Sequence, residues 1–385
     1  MIKRTATARL TKLAKTFRSV AVVGPRQSGK TTLCRAVFPL KPYVSLENPD
    51  ILEFALSDPR GFLSQFKNGA ILDEIQRAPQ LFSYLQQILD ETKKKGLFIL
   101  TGSNNFLIQE NITQTLSGRI AYVQLLPLSF KELTESKKLK ADYAYHILSG
   151  GYPGVISKRI NTADWYANYI NTYVERDVRQ LKNISNLGQF MKLLKLCAGR
   201  TGQVLNLTSL SNDCGIDQKT VAAWLSILQS SYIIYLLKPY HSNFNKRITK
   251  TPKLYFYDTG VACSLLGITN VKQISQHVTK GFLFENMIVS ELLKERFNTG
   301  KADNLFYWRD KTGNEVDILT DDAGKLTAIE LKAGETISSD FLKGLDYFSS
   351  LYKKPIKKIL LYGGKQEQTR SNGIAILPWN KFIGV

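Results

Sequence analysis

Apolar positions along this chain follow two rhythms, and each predicts its own kind of element. Ile2, Ala6, Leu10, Leu13 and Phe17 fall at helical spacing and run straight into Ser19–Val23, an unbroken apolar stretch with the length and branching of a buried strand. Further short apolar runs, Ala70–Leu72, Leu97–Leu100 and Ile120–Leu126, read as strands, and Phe106 to Leu116 reads as a helix between the last two. Helical spacing returns over Trp165–Leu181. Two short helices are then predicted, opening at Leu207 and Gln218 and separated by the turn Cys214-Gly215-Ile216-Asp217, with a strand at Tyr232–Leu237 behind them. The C-terminal part gives a helix from Lys280 to about Phe297, then strands at Leu305–Trp308, Glu315–Leu319 and Leu326–Lys332. The fold class is therefore α/β: a parallel-sheet domain first, a helical middle, and a second α/β region at the C-terminus. No apolar run reaches the roughly 18 residues of a membrane-spanning helix. The nearest, Ala222–Leu237, is broken by Gln229-Ser230-Ser231.

The first strand leads into Gly24-Pro25-Arg26-Gln27-Ser28-Gly29-Lys30-Thr31-Thr32. This is the G-x-x-x-x-G-K-[ST] pattern in its required context of strand, loop and helix. Glycines let backbone N–H groups turn inward around phosphate oxygens, and a helix opening near Lys30 adds its positive end. Lys30 is expected to reach the β- and γ-phosphates of ATP, and Thr31 to give a hydroxyl to Mg²⁺. The strand Ala70-Ile71-Leu72 ends in Asp73-Glu74, where Asp73 suits the Mg²⁺ shell and Glu74 suits orientation or deprotonation of the attacking water. The next strand ends in Thr101-Gly102-Ser103-Asn104-Asn105. A polar side chain here contacts the γ-phosphate or the water; Asn104 is the first choice and Ser103 the second, with a plain strand-end turn as the alternative.

This order of motifs resembles the AAA-type ATPases. Gly24 to Thr32, Leu72-Asp73-Glu74-Ile75-Gln76, Leu100-Thr101-Gly102-Ser103 and Leu126-Pro127-Leu128-Ser129-Phe130 together resemble a prokaryotic family that joins such an ATPase domain to a C-terminal DUF4143 domain. The resemblance implies a P-loop domain over 1–135, a helical lid and winged helix over 136–260, and a nuclease-like domain over 261–385. It also implies a role for Arg119, which precedes the strand after the polar sensor: ring-forming ATPases place there a finger for the neighbouring subunit. An arginine capping the preceding helix is the alternative. Gly150-Gly151-Tyr152-Pro153-Gly154 resembles the Gly-x-Pro element of ATPase lids, with Arg176 and Arg179 as lid arginines or as a solvated face.

The helix, Gly-containing turn, helix and strand over 207–239 describe a winged helix-turn-helix. Residues 190–257 carry nine basic side chains (Lys192, Lys195, Arg200, Lys219, Lys238, Lys246, Arg247, Lys250, Lys253) against Asp213 and Asp217, a surplus suited to a phosphate backbone. Ala222, Ala223 and Ser226 are poor base readers, so contact without strong sequence preference is expected. Winged helices also dock proteins, which stays open. Further on, Asp317, twelve intervening residues and Glu330-x-Lys332, with helical Glu285 upstream, resemble the PD-(D/E)xK nucleases. Residues i and i+2 of a strand share a face, so Glu330 and Lys332 point together. On this reading Glu285, Asp317 and Glu330 hold a second Mg²⁺ or a Mn²⁺, and Lys332 stabilises the attacking hydroxide.

Composition narrows the partners. The chain has 385 residues, enough for two or three domains, and 52 Lys+Arg against 32 Asp+Glu give a net charge of +20. That excess points to a polyanion, DNA or an anionic surface. Ten basic residues and no acidic one fall within 1–46, the composition of an organellar transit peptide; the helix there runs into the phosphate-loop strand and is read as part of the folded domain. Four scattered cysteines form neither a disulfide framework nor a zinc site and fit a reducing cytoplasm. The combined expectation is a Mg²⁺-dependent ATPase acting on DNA as a homo-oligomer, such as a hexameric ring, with no membrane contact. A nucleotide-gated switch and a protein remodeller are the alternatives.

Overall fold

Strand β1 (Ser19–Val23) is buried on both faces, which requires helices above and below it. The computed structural model describes residues 2–103, 116, 118–157, 160–173, 178, 184, 186–240, 250–352 and 354–381, and its contacts divide the chain into two units. Unit 1 comprises residues 1–136, 230–232 and 294–302. Its sheet is built from β1, β2 (Tyr43–Ser45), β3 (Ile71–Asp73), β4 (Phe98–Gly102) and β5 (Ile120–Gln124), all parallel, in the order β2-β3-β4-β1-β5. Period-two alternation sends Ala21 and Val23 with Leu72 and Leu100 into one core, and Val20 and Val22 with Ile71 and Ile99 into the other. The helix Ala6–Thr16 buries Leu10 and Leu13 in the second core, each contributing about 1.5–3 kcal/mol by leaving water. The basic N-terminal segment is thus part of this unit.

Because the strands are parallel, the residues following β1, β3 and β4 emerge at one edge of the sheet, where α/β folds place their ligands. Gly24, Asp73-Glu74 and Thr101–Ser103 all lie there. Arg119 precedes β5 and lies at the other edge, its carbonyl accepting from the Ser19 N–H at the start of β1.

Unit 2 comprises residues 137–229, 233–293 and 303–385. Its mixed sheet uses β6 (Ile234–Pro239), β7 (Lys253–Phe256), β8 (Leu305–Arg309), β9 (Glu315–Asp322), β10 (Lys325–Lys332), β11 (Ile356–Tyr362), β12 (Gln368–Thr369) and β13 (Ile374–Pro378). The order is β12-β13-β11-β10-β9-β8-β6-β7, so the hairpin β6–β7 of the middle region continues the C-terminal sheet. The anticipated boundary at 260 falls inside this unit. Ala323 and Gly324, both at positive φ (54° and 83°), form the two-residue turn that closes β9 on β10.

Three helices precede the β6–β7 hairpin. Leu187–Gly199 packs on Leu207–Cys214; Gly215 at φ 74° ends the latter, and Asp217 opens Gln218–Ser230 by accepting from the Thr220 N–H at 2.9 Å. Elsewhere in unit 2, Gly150 is held at φ 56°, where a Cβ would stand 2.1 Å from both Asp258 Oδ1 and Tyr166 OH. Asp258 accepts from the Gly151 N–H at 2.8 Å and from Tyr166 OH at 2.7 Å, fixing that turn. The sequence-predicted helix at 106–116 falls almost wholly outside the described residues, as do Asn104, Arg176, Arg179, Lys246 and Arg247. Among the described residues no helix is long and apolar enough to cross a membrane.

Candidate functional site

The loop after β1 is shaped by two glycines. A Cβ on Gly24 would stand 2.2 Å from the Leu125 carbonyl oxygen, and Gly29 takes φ 96° immediately before the helix Lys30–Val37. Lys30 is buried, its Nζ donating to the carbonyls of Gly24 (2.9 Å) and Pro25 (2.8 Å). Burial lowers its ammonium from the ordinary lysine range, and Glu74 and Asp73 oppose that shift. Ser28 is fully buried and its hydroxyl has no protein partner, which suits a loop built to meet phosphate oxygens. Arg26 approaches Glu47 at 4.0 Å, while Gln27 and Thr32 are exposed.

Asp73 is the hub. Its Oδ2 accepts from Thr31 Oγ1 at 2.9 Å and from Tyr43 OH at 2.7 Å, and its Oδ1 accepts from Thr101 Oγ1. The two side chains expected to hold Mg²⁺, Thr31 and Asp73, are therefore already in contact, and they fit that ion. Burial, and then the bond to Asp73, push the Tyr43 hydroxyl up to about 12, so it remains a donor. Glu74 is half-buried at φ 55°, its Oε2 accepting from Gln76 Nε2 and from Ser103 Oγ at 3.3 Å. Arg119 forms a forked pair with Asp90, Nε to Oδ1 at 2.5 Å and Nη2 to Oδ2 at 3.0 Å; the hydrogen bond from Arg119 holds the Asp90 carboxyl below its usual range.

One support escaped the sequence reading. Arg4 is buried and donates to the Ser28 carbonyl at 2.7 Å, the Leu126 carbonyl at 2.6 Å and Glu132 Oε1 at 3.1 Å. Glu132, fully buried, also caps its own helix with Ser129. The pair braces the phosphate loop from behind. Its one local sign is the Ser129-x-x-Glu132 spacing of a capping box.

In unit 2, a cavity of about 550 Å³ is lined by Lys253, Glu285, Arg309, Glu315, Asp317 and Lys332, among others. Lys332 Nζ donates to Glu330 Oε1 at 2.6 Å, and Asp317 Oδ2 accepts from the Leu331 N–H at 2.8 Å. Glu285 accepts from Lys253 Nζ at 2.9 Å and from Tyr255 OH. Burial, then the Asp317 charge, push the Glu330 carboxyl up to about 8.

Residues 16–134 match the AAA domain family, residues 140–272 match DUF8612, a domain of unknown function, and residues 280–382 match DUF4143, likewise of unknown function. The chain joins an AAA domain to a C-terminal DUF4143 domain. An uncharacterized protein of Mycobacterium tuberculosis is 29% identical over 340 residues, 87% of this chain and 75% of the relative. One from Haemophilus influenzae is 22% identical over 294 residues, 72% of this chain and 68% of the relative. Among solved structures, the Walker-type ATPase of Pyrococcus abyssi covers 69% of this chain and 96% of its own at 16% identity, with a TM-score of 0.47. AMPPCP-bound DnaA from Aquifex aeolicus covers 58% and 85% at 13% identity, with a TM-score of 0.30.

The AAA domain assembles Lys30, Thr31, Asp73 and Glu74 at one sheet edge, and adds Tyr43, Thr101 and Ser103 to them. Asn104 lies outside the described residues, and Arg119 is at the opposite edge. The DUF4143 carboxylates do not fit a metal in the same way. Among the described residues no three His, Cys, Asp or Glu side chains converge as a metal site, and Glu285, Asp317 and Glu330 each have a protein donor. The metal shell expected there from the spacing Asp317, Glu330 and Glu285 is not assembled: one oxygen of each carboxylate already accepts from a protein donor, Lys253 and Lys332 among them.

Proposed function

We propose that the AAA domain hydrolyses ATP and that the energy is used on duplex DNA held by residues 187–256. The observation that carries the first part is the Thr31–Asp73 contact of 2.9 Å beside a buried lysine. Bound Mg²⁺ would neutralise charge across the β- and γ-phosphates, with Thr31 and Asp73 to hold it. In this reading Lys30 leaves its loop carbonyls for the phosphates, and Glu74 orients or deprotonates the attacking water, backed by Ser103 and Asn104. Arg119, at the sheet edge away from its own phosphate loop, exchanges Asp90 for the nucleotide of a neighbouring copy. That exchange requires a homo-oligomer, for which a ring is the geometry that closes.

The DNA part rests on the three helices and antiparallel hairpin of residues 187–256, which read as a winged helix. Lys192, Lys195, Lys219, Lys238 and Lys250 are exposed there. Arg200 and Lys253 leave the expected basic set, since Arg200 pairs with Asp213 and Lys253 is buried against Glu285. Ala222, Ala223 and Ser226 are exposed on Gln218–Ser230 and offer no forked donor to a base, so contact is to the phosphate backbone. Four free, buried cysteines suit a reducing cytoplasm. The DUF4143 region enters as a binding module.

Titrating the protein into a labelled mixed-sequence duplex at rising salt tests the DNA part. Affinity should fall linearly on logarithmic axes. Exchanging Lys192, Lys195 and Lys219 together for Glu should weaken binding to all sequences and flatten the slope by about three. Absence of duplex binding at physiological salt would reassign the region to docking proteins.

A further inference from the structure

The acidic face of the DUF4143 region already holds a cation, supplied by the chain. Lys253, the first residue of β7, is 3% exposed. Its Nζ lies 2.9 Å from Glu285 Oε1, contacts Glu315 Oε1, and stands 5.6 Å from the centroid of the Tyr307 ring. Asp317 is two residues beyond Glu315 on β9 and so shares its face.

We propose that Lys253 is the resident cation of this cluster, standing where Glu285, Glu315 and Asp317 would otherwise gather a divalent metal, so that the site is closed to metal by its own side chain. The carboxylates of the helix Lys280–Thr299 and of β9 meet at its ammonium. A divalent ion needs about six oxygen ligands close around it and would be placed against the positive charge of Lys253. Entry is not what excludes the ion, because Lys253, Glu285, Glu315 and Asp317 all line the cavity. Glu330 Oε2 is buried without a partner, and Lys332 Nζ, 2.6 Å from Glu330 Oε1, sets a second cation beside it. The inference does not depend on ATP hydrolysis or on DNA binding.

Mn²⁺ binding to the full chain, followed by calorimetry and electron paramagnetic resonance without nucleotide, tests it. Wild type and Asp317→Asn should bind Mn²⁺ alike, since any ion taken by the AAA domain is common to both. Lys253→Gln should gain one site, at least about tenfold tighter than any in wild type and lost again in Lys253→Gln/Asp317→Asn. Lys253→Arg, which keeps a cation, should gain none. Asp317-dependent Mn²⁺ binding in wild type overturns the proposal, and so does a folded Lys253→Gln that gains no site. If Lys253→Gln does not fold, the wild-type and Asp317→Asn pair decides alone.

Discussion

Lys30→Ala is expected to lower ATP turnover by about 100- to 1,000-fold, the range for removing one preorganised charge from a developing anion. Lys30 is the one cation buried in the phosphate loop, resting on the Gly24 and Pro25 carbonyls 2.9 and 2.8 Å away. Burial lowers its ammonium from the ordinary lysine range, and Glu74 and Asp73 oppose that shift. Alanine removes the charge and leaves those carbonyls without the donor. The loop's shape should survive, because Gly24, Gly29 and the Arg4 bond to the Ser28 carbonyl set it. The check is steady-state turnover beside nucleotide affinity and a melting curve: both activity and affinity should fall while the fold persists. Unchanged turnover would place the chemistry elsewhere in the chain.

Glu74→Gln should cut turnover by about 100- to 10,000-fold, the usual contribution of a positioned base, while ATP still binds. Glu74 follows β3 directly and takes φ 55°, which turns its carboxylate to Gln76 and to Ser103 Oγ at 3.3 Å. Glutamine fits the same backbone and keeps an oxygen for these donors, but it cannot accept a proton. Lys30, Thr31 and Asp73 are untouched, so the nucleotide stays. Protein purified with Mg²⁺ and ATP should retain ATP rather than ADP. The two variants thus separate binding from chemistry, Lys30→Ala losing nucleotide and Glu74→Gln trapping it. Rapid turnover in Glu74→Gln would show that another group serves as base.

What could be read from the sequence was local. The phosphate loop was legible because its geometry demands glycine at fixed places: a side chain at Gly24 would meet the Leu125 carbonyl, and Gly29 needs positive φ. Asp73-Glu74 was legible as a polar pair ending an apolar strand, and the β9–β10 hairpin from its turn and alternation. What escaped depends on partners distant in the chain. Tyr43 and Thr101 reach Asp73 across neighbouring strands, and Arg4 meets Glu132 across 128 positions; no local periodicity marks such pairs. Lys253 counted toward a basic surface because charge was all the sequence showed of it. Its strand is buried throughout, and the carboxylates that hold it come from a helix and a strand beyond it in the chain. The same lysine explains why the spacing of Asp317, Glu330 and Lys332 was visible while the state of the site was not.

The most direct test of the account is ATP turnover of the full chain with Mg²⁺, measured alone, with single-stranded DNA and with duplex DNA, against Lys30→Ala as the blank. Turnover above the blank and several-fold stimulation by duplex are expected. A slow rate indifferent to DNA, with nucleotide tightly retained, would contradict the proposal and favour a nucleotide-gated switch.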